Sequence, residues 1–383
     1  MFERPQNGEL AILVHIHLKK VDSKEIADEF QELALAAGAK PMHFITGKQR
    51  TPFAKYFIGV GKLEEIRAAV TQYRTELILF NHNLSPAQER NLEQKLQCRV
   101  VGRVGLILDI FAQRARTFEG KLQVKLAQLQ HVSTRLIRGW THLERQRGGI
   151  GLRGPGETQL ESDKRLIRQQ IKIIKQRLEK VQKRRAQSQR ARRQSQLPLI
   201  SLIGYTNTGK STLFNALTGS SVFTADQPFA TLDPSIRRMH VANKEFAILA
   251  DTVGFIRQLP HDLIEAFRAT LEETREADLL LHVIDVTSAD KLERNKEIQD
   301  VLQQIRADKI PQLLIYNKID LLSEIIPRLE RSSNGLPCKI WLSASTRMGL
   351  ELLQQALFEL LTSRKNMILN SLFSSKTKEP GLL

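Results

Sequence analysis

The sequence predicts an α/β protein built from two α/β units with a basic antiparallel helical hairpin between them. Three observations carry this reading. Apolar runs alternate with segments of helical period over residues 10 to about 118. From residue 121 to about 193 the strand-like runs stop and apolar residues recur at heptad-like spacing. At Leu199 a new apolar run leads into a glycine-rich loop and an amphipathic helix. The expected segments are 1–119 (first α/β unit), 120–196 (hairpin and linker, with a tip at 148–161), 197–363 (second α/β unit) and 364–383 (tail).

In the first unit, LAILVHIHL reads as a buried strand. KEIADEFQELALAAGAK follows with Ile26, Phe30, Leu33 and Ala37 on one helical face, and Gly38 where a helix would stop. HFITG and ELILFN are strands flanking the helix KLEEIRAAVTQYR. SPAQERNLEQKL places Ser85 as N-cap and Pro86 at the first helical position. RVVGRVGLILDIFAQRA closes the unit.

In the hairpin, Leu122, Leu126, Leu129, Val132 and Leu136 share a face. Ile167, Ile171, Ile174, Leu178 and Val181 step by four and three, an a/d seam read as structural, with dimerisation as the alternative. Residues 131–196 hold 18 Lys+Arg against 5 Asp+Glu, most of the excess in a chain of net charge +17. A one-sided surplus of this kind is the footprint of a polyanion binder, with a solvated helix surface as the plainer reading. Two cysteines, Cys98 and Cys338, are too few for a disulfide framework and suit a reducing cytoplasm. The amino terminus does not read as a signal peptide. No apolar stretch approaches the roughly 20 residues of a membrane span, so a soluble protein is expected.

The strongest motif is LPLISLIGYTNTGKSTLFNALTG. Gly204-Tyr205-Thr206-Asn207-Thr208-Gly209-Lys210-Ser211, followed by Thr212, is GxxxxGK[ST] between an apolar strand and a helix. Backbone N–H groups of such a loop and the helix N-terminus point at phosphates. Lys210 is expected to reach the β- and γ-phosphates and Ser211 to bind Mg²⁺. Asp251-Thr252-Val253-Gly254 follows the strand EFAILA. Asp251 would hold Mg²⁺ and the Gly254 N–H would sense the γ-phosphate.

Asn317-Lys318-Ile319-Asp320 follows QLLIY. A carboxylate there accepts from guanine N1 and N2, and adenine leaves it unpaired. Ser343-Ala344-Ser345 follows CKIWL and suits a backbone contact to guanine O6. Phe229-Ala230-Thr231-Leu232-Asp233 reads as a switch that orders with GTP. Thr231 would close on Mg²⁺ and the γ-phosphate; Thr224 is the alternative, and flanking residues favour Thr231. Taken in order and each after a strand, these motifs specify a Ras-like P-loop G domain that binds GTP and GDP.

Where Ras-like enzymes place a water-orienting glutamine, this chain has Phe255, which cannot orient water. Hydrolysis is therefore expected to need another group or a partner. Asn207 offers one route, as a ligand of a bound K⁺; the alternative is an asparagine stabilising its own turn.

These motifs, with LILDIFAQRARTFEGKLQVKLAQLQH (106–131) and RGWTHLERQRGGIGLRGPGETQLESDKR (138–165), closely resemble the HflX family of ribosome-binding GTPases, over about residues 10–363. The resemblance implies an N-terminal α/β subdomain, a helical hairpin and a G domain. It implies binding to the large (50S) ribosomal subunit and its rRNA, splitting or rescue of stalled ribosomes under stress such as heat, or a part in ribosome biogenesis. The chain departs from the family at Gly102 and Val104, where a more polar pair (usually Asp and Thr) is expected.

GGIGLRGPGETQLE (148–161) lacks a GK[ST] and sits at the hairpin tip. It reads as an rRNA-contacting tip: Gly149 and Gly154 let backbone approach closely, while Arg147, Arg153 and Lys164 neutralise phosphates. A second nucleotide site and a plain hairpin loop are the alternatives. Two other function classes compete with the ribosome factor. One is an RNA-remodelling NTPase or helicase, which Asp320 disfavours as an ATP-driven machine. The other is a regulatory GTPase module with a protein or membrane partner. The basic tip carries no apolar face, so membrane association would be peripheral at most. A monomeric, cytoplasmic protein without DNA binding is expected.

Overall fold

The structure is a computed structural model that describes residues 8–18, 24–139, 155–194, 197–220, 228–229, 231–241, 245–257 and 273–376. It divides into two compact units, the first comprising mainly residues 1–184 and the second mainly residues 185–383.

The first unit alternates β1 (Leu10–His17), α1 (Lys24–Ala36), β2 (Lys40–Lys48), α2 (Val60–Tyr73), β3 (Leu77–Phe80), α3 (Pro86–Leu96), β4 (Arg99–Val101) and α4 (Arg103–Arg114). The four strands form a parallel sheet in the order β2-β1-β3-β4. Parallel pairing requires a crossover between consecutive strands, which the intervening helices supply. Ala11 to Val14 of β1 and all four residues of β3 are buried, as expected of strands covered on both faces. Ser85 caps α3 as read from the sequence: its hydroxyl accepts from the Gln88 N–H, and the Gln88 side chain accepts from the Ser85 N–H.

Gly102 stands at the N-cap of α4, without a side-chain cap. A Cβ there would lie 3.1 Å from the His82 carbonyl oxygen and 3.2 Å from a Glu89 carboxylate oxygen. The junction nonetheless packs, with Leu106, Ile107, Leu108, Ile110 and Phe111 buried.

Two long helices follow, α5 (Phe118–Gly139) and α6 (Pro155–Gln194). Leu122, Leu126 and Leu129 of α5 bury against Ile174 and Leu178 of α6, with Ile167 and Ile171 alongside. This is the expected apolar seam. A second side of α5 belongs to the α/β unit: it packs on α3 and α4 and buries Gln123, Val124 and Ala127, and Arg135 forms a two-pronged ion pair with Glu89 of α3. The hairpin read from the sequence as a separate segment therefore shares a compact unit with the first sheet.

The second unit contains β5 (Leu199–Ile203), α7 (Lys210–Thr218), β6 (Ser235–His240), β7 (Phe246–Asp251), β8 (Leu279–Asp285), α8 (Lys291–Gln304), β9 (Gln312–Asn317), β10 (Arg328–Arg331), β11 (Pro337–Trp341) and α9 (Leu350–Lys376). Its sheet runs β10-β11-β9-β8-β5-β7-β6, antiparallel at the β10–β11 and β6–β7 edges and parallel between. Ile200, Leu202, Phe214, Leu249, Leu281, Leu313 and Leu353 lie in one core. The segment after Arg364 continues α9 as far as Lys376.

Candidate functional site

In an open parallel sheet, ligands bind at the carboxyl ends of the strands. Four of the sequence motifs begin there: Gly204 after β5, Asp251 closing β7, Asn317 closing β9 and Ser343 just beyond β11.

Gly204, Asn207 and Gly209 carry positive φ, and Gly209 is the N-cap of α7 without a side-chain cap. The loop is thus curled with the first N–H groups of α7 left for a ligand. Gly204 admits no other residue, because a Cβ would sit 2.3 Å from the Val283 carbonyl oxygen. Thr208 donates to the Tyr205 carbonyl at 3.0 Å, closing the loop on itself, and the Lys210 ammonium donates to the same carbonyl. Burial lowers the Lys210 pKa to about 8, against the opposing pull of Asp251.

Three oxygens meet beside Lys210. Ser211 Oγ lies 2.7 Å and Thr231 Oγ1 3.0 Å from Asp251 Oδ2, with the two hydroxyls 2.8 Å apart. Asp251 is buried, and its Oδ1 has no hydrogen-bond partner among the described residues. Burial raises its pKa, which Lys210, Ser211 and Thr231 partly offset. A buried carboxylate with an orphaned oxygen and two hydroxyls beside it is an all-oxygen donor set that fits a hard divalent cation. Of the two threonines weighed for this position, Thr231 lies in the cluster, and Thr224 lies outside the described residues. So does Ala230. Phe229 and Leu232 are buried, and Asp233 is half-buried.

Gly254 faces the phosphate loop. A Cβ on it would lie 2.9 Å from Thr206 Cγ2 and 3.1 Å from the Lys210 ammonium nitrogen. Thr252 Oγ1 donates to the Leu202 carbonyl at 2.6 Å, and Val253 is buried. Phe255 is buried, so its ring is a packing group, and its backbone bridges to Tyr205.

On the base side, Asn317 is buried. Its Nδ2 donates to the Thr208 carbonyl, and its Oδ1 accepts from the Ala344 N–H, both at 2.9 Å. The Ser343-Ala344-Ser345 loop, expected to offer a backbone contact to guanine O6, is thus tied to Asn317 through one of its N–H groups. Lys318 has φ 69° and an ammonium 2.7 Å from Asp285. Ile319 is buried, and Asp320 is exposed. Ser343 is buried, and its Oγ accepts from the Thr346 N–H at 3.1 Å, while Ser345 is exposed.

Sequence reading did not find Asp285, the Tyr205–Glu297 hydrogen bond or the Arg257–Asp290 ion pair. Asp285, Glu297, Arg257 and Asp290 fall in no spaced motif; each is a partner supplied by tertiary packing. Of the tip residues, Arg147, Gly149, Arg153 and Gly154 lie outside the described residues, and Lys164 is half-buried on α6.

A strand–loop–helix phosphate cradle, an oxygen cluster at its serine and an Asn-Lys-x-Asp loop at the ends of adjacent strands define a P-loop GTPase. Three family models match: "GTP-binding GTPase N-terminal" over residues 24–112, "GTP-binding GTPase Middle Region" over 114–193 and "50S ribosome-binding GTPase" over 199–318. The GTPase HflX of Escherichia coli K12 is 55% identical over 362 residues, covering 94% of this chain and 85% of that one. The GTPase HflX of Caldanaerobacter subterraneus subsp. tengcongensis is 45% identical over 384 residues, covering 100% and 88%. Among solved structures, the SsGBP–GDP complex aligns with TM-score 0.53 at 26% identity, over 93% of this chain and 99% of that one. The chain belongs to the HflX family of GTPases and hydrolyses GTP.

Proposed function

We propose that this GTPase binds the large ribosomal subunit through its basic hairpin and, in the GTP state, splits or rescues stalled ribosomes in the cytoplasm under stress. The observation that carries this reading is the partition of α6. Ile174 and Leu178 face the buried seam, while Arg165, Arg168, Lys172, Lys175, Arg177, Lys180, Lys183 and Arg184 are all exposed. Cations displayed on a helix anchored by its other face suit rRNA phosphates, with Arg147, Arg153 and Lys164 as contacts and Gly149 and Gly154 allowing close approach. The family model described as "50S ribosome-binding GTPase" supports the choice of polyanion.

In the G domain, Lys210 and the N-terminal amides of α7 bind the phosphates, and Asp320 reads guanine. Ser211, Thr231 and Asp251 would hold Mg²⁺, which neutralises charge developing between the β- and γ-phosphates. Asn207 is assigned as a ligand of an activating K⁺; equal GTPase rates in KCl and NaCl would remove that assignment. Because Phe255 cannot orient the attacking water, the ribosome completes the catalytic site.

The test is the GTPase rate with and without purified large subunits, with a deletion of residues 149–156 alongside. Stimulation that the deletion abolishes is expected, together with salt-sensitive co-sedimentation of a monomeric protein. No stimulation by the subunit would overturn the reading.

A further inference from the structure

Asp290 occupies the N-cap position of α8, where an aspartate ordinarily accepts from the helix's own first N–H groups. It makes no such bond. Its carboxylate pairs instead with the guanidinium of Arg257, whose side chain is only 9% exposed. Arg257 lies three residues beyond Gly254, and the residues between are fixed as well. The Phe255 N–H donates to the Gly204 carbonyl at 3.0 Å, and the Phe255 carbonyl accepts from the Thr206 N–H at 2.8 Å. Ile256 is buried.

The same helix holds the phosphate loop. The Tyr205 hydroxyl donates to the Glu297 carboxylate, and the Arg294 guanidinium lies 5.2 Å from the Tyr205 ring centre. Positions 290, 294 and 297 are spaced four and three apart, so they share one helical face. Three links therefore close a ring: α8 to Tyr205, Tyr205 to Phe255, and Arg257 back to α8. Gly254 is carried on the segment this ring fixes.

We propose that Arg257 is a positioning residue for GTP hydrolysis, acting through its ion pair with Asp290 to hold Gly254 where its N–H meets the γ-phosphate. The proposal rests on the reading of Gly254 as a γ-phosphate contact. GDP has no γ-phosphate, so the pair contributes to the triphosphate state and not to diphosphate binding.

The experiment uses the full chain with Arg257→Ala, Asp290→Asn, Gly254→Ala and the exchanged pair Arg257→Asp/Asp290→Arg. Affinities for GDP and for a non-hydrolysable GTP analogue are measured with kcat and KM for GTP. Each single variant at 257 and 290 should lower analogue affinity and kcat by about fivefold or more, with GDP affinity changed by less than about twofold. The exchanged pair should recover part of the loss. An equal fall for both nucleotides would show a merely structural pair, and unchanged analogue affinity and kcat would remove the role; either overturns the proposal. If Arg257→Ala does not fold, the near-isosteric Asp290→Asn decides the matter alone. Should Gly254→Ala leave analogue affinity intact, the reading of Gly254 fails instead; should Gly254→Ala lower it while the 257 and 290 variants do not, the positioning role fails.

Discussion

Asn317 and Thr208 join the Asn-Lys-Ile-Asp loop to the phosphate loop: the Asn317 amide nitrogen donates to the Thr208 carbonyl at 2.9 Å. The same amide leaves no room at the next residue, since a Cβ on Gly209 would lie 2.3 Å from Asn317 Nδ2. The far side of the amide accepts from the Ala344 N–H at 2.9 Å. One side chain thereby holds three nucleotide loops in register.

Replacing Asn317 with alanine strands a buried carbonyl and a buried N–H at once. Each such orphan costs about 1–3 kcal/mol, so Asn317→Ala should lose about 2–6 kcal/mol of stability by urea unfolding, and GDP affinity should fall with it. Asn317→Asp tests the donor separately. It retains an acceptor for Ala344 but sets a carboxylate oxygen against the Thr208 carbonyl, so its GDP affinity should fall no less than that of the alanine variant. Wild-type GDP affinity in either variant would show that the clamp does not shape the phosphate loop.

The oxygen cluster makes a prediction about metal dependence. Burial raises the Asp251 pKa, and a bound divalent cation would favour the charged carboxylate. Protons and metal then compete. Mg²⁺ affinity of the GDP-bound protein should be constant at alkaline pH and weaken as pH falls through the raised pKa. Asp251→Asn should abolish that pH dependence along with most of the Mg²⁺ effect on GDP release. Ser211→Ala should raise the Mg²⁺ requirement while keeping the pH trend. Nucleotide-release kinetics across a Mg²⁺ titration at several pH values measure both.

Much of this site was legible because its chemistry is local in sequence. GYTNTGKS, DTVG, NKID and SAS each present their groups through a few consecutive residues after an apolar strand, and the structure puts four motif starts at the carboxyl ends of β5, β7, β9 and β11. The Ser85 cap and the hairpin seam were legible for the same reason, since caps and heptads are short-range patterns. The contacts that were not legible join residues far apart in the chain. Arg135 pairs with Glu89 across 46 positions, and Asn317 reaches Thr208 across 109. Periodicity marks Val124 and Ala127 as one more helical stripe but does not say that α3 and α4 cover it. The hydrogen bond from the Ala344 N–H to Asn317 is of the same kind, joining positions 27 apart.

Lys210 supplies the last prediction, with a sign that can be worked out. Its pKa is lowered from 10.5 to about 8, chiefly by burial. Bound phosphates would raise it again, so the bound form holds the proton more tightly than the free form. Affinity for GDP is then flat below about pH 8 and weakens above it, by up to about tenfold per pH unit. For folding the sign reverses. The folded chain holds this proton less tightly than the unfolded chain, so Lys210's contribution to stability rises between about pH 8 and the unfolded value of 10.5. Lys210→Arg separates charge from shape, because a guanidinium keeps its proton throughout this range. A fluorescent GDP analogue titrated between about pH 7 and about pH 9 should show affinity falling for the wild type and level for Lys210→Arg, whatever the variant's absolute affinity. Parallel profiles for the two proteins would mean that the buried ammonium is not the titrating group.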